Sequence, residues 1–169
     1  TEAFTVSIGL SSDEKYYFIS TSDHNTSEQY YFSANEEKPR PKLIQKREKG
    51  IIYSVNSWND SFYMHTNKDA EDFKIEKTKN INFKKWDTYV PAKDETLIGG
   101  LTFLKNWEIR SEVTNALGKI FVKNLKNNKE EELIFSDEEV FDGGISLVQK
   151  DKNTDLIHIL TQLQRHNPE

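Results

Sequence analysis

Tyr16-Tyr17-Phe18-Ile19-Ser20, Ser61-Phe62-Tyr63-Met64-His65-Thr66, Trp107-Glu108-Ile109-Arg110-Ser111-Glu112 and Leu156-Ile157-His158-Ile159-Leu160 are short aromatic or β-branched runs. Each follows a polar, turn-forming cluster: Ser12-Asp13-Glu14-Lys15, Asn59-Asp60, Lys105-Asn106 and the stretch from Asp151 to Asp155. The runs start about 45 to 49 residues apart. A period of roughly 40–50 residues made of short strands marks a β-propeller blade. Helical repeats of that length would need amphipathic runs of about 10 or more residues, and the chain has none.

Further strand candidates fill the intervals. They are Phe4–Ile8, Glu28–Phe32 and Lys42–Ile44 in the first unit, and Ile51–Val55, Phe73–Lys77 and Trp86–Val90 in the second. The third unit has Leu97–Phe103, Lys119–Leu125 and Glu132–Phe135; the last begins with Ile145–Gln149. The expectation is an all-β chain, a partial β-propeller of about three and a half four-stranded antiparallel blades. Its blade-like units fall at approximately 1–46, 47–93, 94–139 and 140–169 of a single domain. Gly99-Gly100 and Gly143-Gly144 recur at or just before an inner strand, read equally as sites of close backbone approach or as loop glycines. Propellers typically close with about 4–8 blades. The chain is therefore expected to be a piece of a larger propeller or an open array with exposed edges. The absence of an initiator Met also reads as an excised piece.

Composition narrows the function. There is no cysteine, which excludes disulfides and thiolate metal sites and suits a reducing, cytoplasmic setting. The 23 basic and 28 acidic residues are interspersed, so no basic face exists to neutralise phosphates, and nucleic acid is not an expected partner. No apolar run is long enough for a membrane helix, and Thr1-Glu2-Ala3-Phe4 does not resemble a signal peptide.

No residue is expected to act in catalysis, bind a cofactor or hold a metal. His65 and His158 occupy equivalent second strands, which favours packing; His24 lies in a polar turn and His166 in the tail. No His-Glu-x-x-His pattern is present. Glu130-Glu131-Glu132 and Asp137-Glu138-Glu139 lack the alternating oxygen pattern of a calcium loop and read as solvated strand. Lys38 to Lys49 reads as an outer strand with charged edges. Trp58, Trp86 and Trp107 are expected in or near blade cores. Asn25-Thr26-Ser27 and Asn59-Asp60-Ser61 match glycosylation acceptors without an export signal to support them.

The stretch Gly50-Ile51-Ile52-Tyr53-Ser54-Val55-Asn56-Ser57-Trp58-Asn59-Asp60-Ser61-Phe62-Tyr63-Met64-His65-Thr66-Asn67 resembles the N-terminal propeller of the prolyl oligopeptidase family of serine peptidases, in its oligopeptidase B (protease II) branch. The resemblance continues through Asn67-Lys68-Asp69-Ala70-Glu71-Asp72-Phe73-Lys74-Ile75, Tyr89-Val90-Pro91-Ala92-Lys93-Asp94 and Gly118-Lys119-Ile120-Phe121-Val122. Upstream it takes in Asp23-His24-Asn25-Thr26-Ser27-Glu28. It departs from the family pattern at Ile52, Ser57, Val113 and the tail after Leu160.

The resemblance implies a hydrolase whose chemistry belongs to a C-terminal α/β-hydrolase domain with a Ser, Asp and His triad. The propeller would act as a gate admitting short peptides, and the parent enzyme would cleave after Arg or Lys. The Gly-x-Ser-x-Gly elbow that carries the nucleophile is missing from this sequence, so the chain alone is expected to be inactive. The alternative is a free-standing binding or assembly module whose exposed blade edges pair with another chain. Either way, self-association is expected through the ends, near Phe4, Val6 and Ile8 and near Leu156, Ile157 and Ile159.

Overall fold

A computed structural model of the chain describes residues 4–134, 141–147, 152–155 and 157–163, the strands at 141–147 and 157–163 as backbone pairing alone. Among the described residues every regular element is a β-strand. The first meander orders β1 (Thr5–Leu10), β2 (Tyr16–Ser22), β3 (Ser27–Ser33) and β4 (Lys42–Gln45) side by side. The second orders β5 (Tyr53–Trp58), β6 (Ser61–Thr66), β7 (Lys74–Thr78) and β8 (Asp87–Val90). The third is β9 (Thr96–Phe103), β10 (Trp107–Thr114), β11 (Leu117–Asn124) and β12 (Glu130–Glu132), and β13 (Phe141–Leu147) pairs with β14 (Ile157–Leu163). All pairings are antiparallel, and each four-stranded meander is a blade. The chain divides into two compact units, one holding the first two blades up to Lys93, the other starting at Asp94.

The turns explain the tight meander. The β5–β6 connection is Asn59-Asp60, with φ of 49° and 54°; the β10–β11 connection is Asn115-Ala116, with φ of 52° and 61°. Positive φ at both central positions is the two-residue hairpin turn whose twist matches that of the strands. Asn and Asp accept it; Ala116 is held there against its preference.

Most expected strands are present with ends shifted by one to three residues. The first strand of blade 2 starts at Tyr53 rather than Ile51 because Gly50 (φ 81°) and the Ile51 N–H···O=C Glu48 bond still form a turn there. The expected strand Glu132–Phe135 is instead Glu130–Glu132. Its register, Lys123↔Glu130 to Phe121↔Glu132, lets Arg110 and Lys119 meet Glu130 and Glu132, while Leu133 still bonds back to Ile120 and packs beside the core and Ile134 is exposed. Phe135 lies outside the described residues. β13 is likewise displaced towards Phe141 from the expected Ile145–Gln149 and carries Gly143-Gly144 inside it; Gln149 lies outside the described residues.

The core of the first unit lies between its two blades. Phe18 and Tyr31 of blade 1 pack with Tyr53, Val55, Phe62, Met64, Ile81 and Trp86 of blade 2, and Tyr16 and Ile44 close the rim. Alternation selects these residues: Phe18 pairs with Tyr31 across β2–β3, and Val55 with Met64 across β5–β6, so each pair lies on one face. The second unit buries Leu104, Ile109 and Ile120, with Val122 and Leu133 alongside. Trp58 and Trp86 are buried as expected, but Trp107, the first residue of β10, is 36% exposed.

Gly99-Gly100 decides between the two readings open in the sequence. The register slips there: Leu101 pairs with Arg110 and Ile98 with Glu112, leaving two glycines opposite Ser111. This is a β-bulge. A Cβ on Gly99 would meet the Ser111 carbonyl oxygen at 2.8 Å and its hydroxyl closer still, whereas a Cβ on Gly100 meets nothing within 4 Å. Gly99→Ala is expected to lower stability by about 1–3 kcal/mol, with Gly100→Ala much milder, read from urea midpoints. Conversely, Ala116→Gly is expected to raise stability by about 1 kcal/mol by relieving the positive φ. A lowered midpoint would show that the turn tolerates alanine.

Candidate functional site

The junction between the first two blades is built from polar side chains aimed at a backbone edge. The Asn67 N–H donates to the Ile52 carbonyl, which directs residue 52, and therefore 54, 56 and 58, towards β6. Tyr53, Val55 and Ser57 then point their backbone groups away from the sheet. Blade 1 satisfies most of them, and the Ser57 N–H donates to the Asn56 side chain of its own strand. The Ser27 hydroxyl donates to the Tyr53 carbonyl (2.8 Å) and accepts from the Tyr53 N–H (2.6 Å). The Gln29 side-chain oxygen accepts from the Val55 N–H at 2.7 Å, while its amide nitrogen is held by the Ser20 hydroxyl. The Asp13 N–H donates to the Ser57 carbonyl at 3.3 Å.

Tyr53 returns the favour. The β3–β4 register slips between Gln29 and Tyr30, which strands backbone groups of Gln29 and Gln45. The Tyr53 hydroxyl accepts from both N–H groups (2.9 and 3.2 Å) and donates to the Gln45 carbonyl (2.7 Å). Burial pushes this phenol above its ordinary pKa, against the pull of the two N–H donors.

At one end of the same junction the β1–β2 turn clasps the next blade. The buried Asp13 carboxylate accepts from the Ser57 hydroxyl (2.7 Å), the Ser11 hydroxyl (2.8 Å) and the Lys15 N–H (3.2 Å). Asn56 exchanges two hydrogen bonds with Ser12. Lys15 pairs with Asp60, and this partner holds the Asp60 carboxyl below its ordinary pKa. The second unit repeats the arrangement: Asn106 donates through its backbone and side chain to Asp155, and the Lys105 N–H donates to the Thr154 carbonyl. Lys15, Asp60 and Asn106 each immediately precede the second strand of a blade, and Asp155 stands two residues before β14, so the sequence repeat places them.

Blade 1 has a second face with no such partner among the described residues. Val6, Ile8 and Leu10 pair with Thr21, Ile19 and Tyr17, which pair in turn with Glu28, Tyr30 and Phe32. In blade 2 the receiving face is Tyr53, Val55 and Ser57 paired with Thr66, Met64 and Phe62. Tyr17, Ile19 and Thr21 precede Phe62, Met64 and Thr66 by 45 residues in each case, so the open face of blade 1 is the counterpart of the face by which blade 2 receives blade 1. Val6 is 66% exposed, Ile8 61% and Leu10 48%, and Phe4 is also exposed, as expected from the sequence. The expected apolar end at Leu156, Ile157 and Ile159 lies outside the described side chains.

The second unit carries a buried row of charge. Glu108, Arg110 and Glu112 alternate along β10, and all three are buried. Arg110 donates through Nε to Glu112 (2.9 Å) and through both terminal nitrogens to Glu130 of β12 (2.9 and 3.0 Å), above the Phe121 ring. Burial draws the guanidinium pKa down, but Glu130 and Glu112 outweigh it and leave it raised.

The remaining sequence candidates are structural or outside the description. His65 stacks on Phe73 with ring centroids 4.6 Å apart, a packing role as expected. His24 sits in the exposed β2–β3 loop; the side chain of His158, and His166 altogether, lie outside the described residues, as does Asp137-Glu138-Glu139. Among the described residues no three His, Cys, Asp or Glu side chains gather to hold a metal ion. Sequence reasoning missed Asp13, Ser27, Gln29 and Arg110. Their types are ordinary for turns and strands, and only the neighbouring edge makes them essential.

Residues 1–161 match the family described as prolyl oligopeptidase, N-terminal beta-propeller domain, and the chain belongs to that family. Over 74 residues it is 30% identical to Protease 2 of Moraxella lacunata, covering 44% of this chain and 11% of that protein. Among solved structures, oligopeptidase B from Trypanosoma brucei, in a closed form with covalently bound antipain, superposes with a TM-score of 0.83 at 24% identity, over 95% of this chain and 24% of that one. A prolyl endopeptidase studied for inter-domain dynamics in catalysis and specificity gives 0.74 at 19% identity, over 94% and 23%. The fold is thus that of a partial propeller, and the chain spans about a quarter of the length of these structures.

Asp13→Ala is expected to destabilise the first unit by about 1–3 kcal/mol, since it leaves buried donors unsatisfied, whereas Asp60→Ala on the exposed rim should shift the urea midpoint little. Because the Asp60 pKa is depressed, its contribution is present above the ordinary aspartate pKa and is lost as pH falls below it through the lower folded-state pKa, a dependence Asp60→Asn removes. Arg110→Ala removes the buried guanidinium shared by Glu112 and the more exposed Glu130 and is expected to cost about 3 kcal/mol, the low end for a buried ion pair; a smaller loss than Asp13→Ala would show that the row is solvated.

Proposed function

We propose that this chain is the non-catalytic propeller portion of an oligopeptidase-B-like serine endopeptidase. In the parent protein a C-terminal α/β-hydrolase domain would supply the Ser, Asp and His triad, and the propeller would cover it and admit short peptides. Cleavage would follow Arg or Lys, in the cytoplasm. The observation that carries the reading is the match of residues 1–161 to the family's propeller, joined to a sequence with no Gly-x-Ser-x-Gly elbow. The likeness to an oligopeptidase B held closed around antipain supports a gating role. On this reading the open face of blade 1 is where a further blade of the parent propeller would pack. That same uncovered face favours a second reading, a free-standing assembly module.

The test is cleavage of fluorogenic peptides ending in Arg or Lys. The purified chain is expected to give no turnover. The protein encoded with its downstream sequence is expected to cleave them, to spare prolyl substrates and to lose activity to a serine-directed inactivator. Turnover by the 169-residue chain that survives repurification would overturn the non-catalytic assignment, and a downstream sequence without an elbow serine would favour the assembly module.

A further inference from the structure

We propose that the β7–β8 connection, residues 79–86, is a docking loop: Phe83 enters an apolar pocket, and Lys84 and Lys85 meet carboxylates, on the hydrolase domain of the parent peptidase. The inference rests on the peptidase reading and names the contact by which the propeller would close over that domain.

The loop holds one aromatic ring outward. Ile81 and Trp86 are buried in the core between the first two blades. Between these anchors the chain is pinned on both sides of Phe83. The Phe83 N–H donates to the Asn80 carbonyl (3.0 Å), and the Asn82 N–H to the Asn80 side chain (3.1 Å). The Trp86 indole donates to the Phe83 carbonyl (3.1 Å), and the Tyr31 hydroxyl of blade 1 to the Asn82 side chain (3.0 Å). Phe83 itself is 60% exposed. Among the described residues it is the one large apolar side chain exposed in a connection between strands of the first unit. A lone exposed ring on a loose loop would be ordinary. A ring whose flanks are already ordered loses little further freedom on binding, which is what an interface anchor needs.

Charge selects the partner. The loop carries Lys79, Lys84 and Lys85 and no acidic residue, in a chain whose net charge is −5. Lys15, Lys68 and Lys129 pair with Asp60, Glu48 and Glu131, whereas Lys84 and Lys85 pair with no carboxylate among the described residues. The neighbouring Asn59-Asp60 turn offers one carboxylate, Asp60, and Lys15 already engages it. The surface that fits is therefore apolar with carboxylates around it. A peptidase that cleaves after Arg or Lys needs carboxylates at its cleft, because they are what hold a cationic side chain.

The place of the loop in the blade agrees. Alternate connections of an antiparallel meander share an end, so residues 79–86 lie at the end of the Asn59-Asp60 turn, with the β6–β7 connection at the other end. Blade faces pack against neighbouring blades, which leaves the ends for a covering domain. The β6–β7 connection carries Asp69, Glu71 and Asp72, and its apolar Ala70 is buried. Carboxylates there would repel an acidic cleft, and that connection offers no exposed ring. The end with Phe83 and the lysines is the one that matches.

The experiment uses the protein encoded with its downstream sequence. Phe83→p-benzoylphenylalanine keeps an aromatic ring at the loop tip and makes it photoreactive; Asn127→p-benzoylphenylalanine, on the exposed β11–β12 turn, is the control. Irradiation is expected to couple position 83, and not position 127, to peptides of the hydrolase domain. Lys84→Glu combined with Lys85→Glu should cut that coupling about fivefold or more. In the unlabelled protein the same pair of substitutions should raise cleavage of long basic peptides relative to short ones, because the gate is looser. Coupling no greater than at position 127, coupling unchanged by the charge reversal, or coupling to a second copy or to added anionic vesicles instead would each overturn the docking loop. Cleavage of Arg and Lys peptides without coupling sinks this inference and leaves the peptidase reading intact; a downstream sequence with no hydrolase domain sinks both.

Discussion

The outward backbone groups of β5, the edge strand of blade 2, need partners, and side chains of blade 1 supply several of them. Ser27 reaches from β3 to the N–H and C=O of Tyr53, Gln29 to the N–H of Val55, and Tyr53 reaches back to repair the slipped β3–β4 ladder. The exchange is reciprocal, so neither blade is complete without the other. An unmet buried backbone group costs about 1–3 kcal/mol, which makes the register of this junction specific where apolar packing alone would tolerate sliding. The core of Phe18, Tyr31, Val55 and Met64 is held in one register by these bonds.

The second unit meets a related demand with charge. Three consecutive glutamates make a poor strand, yet β12 pairs because Arg110 grips Glu130 with two parallel bonds from two strands away and Lys119 lies near Glu132. Bidentate geometry is where a buried ion pair offsets its own desolvation. The two units therefore secure their blades differently, by hydroxyl and amide caps in one and by a buried ion cluster in the other. In both, the turn before the second strand clasps the turn of the next sheet.

Much of the fold was legible in the sequence because the signal repeats. Aromatic runs following polar clusters, about 45 residues apart, recover the second strand of every sheet. Boundaries were less legible where a competing interaction sets them: the turn at Gly50 delays β5, and Arg110 draws β12 towards Glu130. The apolar row at Phe4, Val6 and Ile8 was legible from its alternation, and these side chains are exposed in the structure. The junction residues were not legible. Ser-x-Gln in a strand looks like a solvent-facing row until the strand it caps is known.

By itself, then, the sequence determined strand content, the repeat and the absence of a nucleophile elbow, because period and local turn chemistry act over a few residues. Only the tertiary structure decided which polar side chains are structural and why Gly99 must lack a side chain while Gly100 need not. Those outcomes depend on groups brought together from 12 to 49 positions apart in the chain, as Gly99 with Ser111 and Asn106 with Asp155 are. The energy of a hydrogen bond depends on the atom it reaches, and a linear pattern does not contain that atom's position.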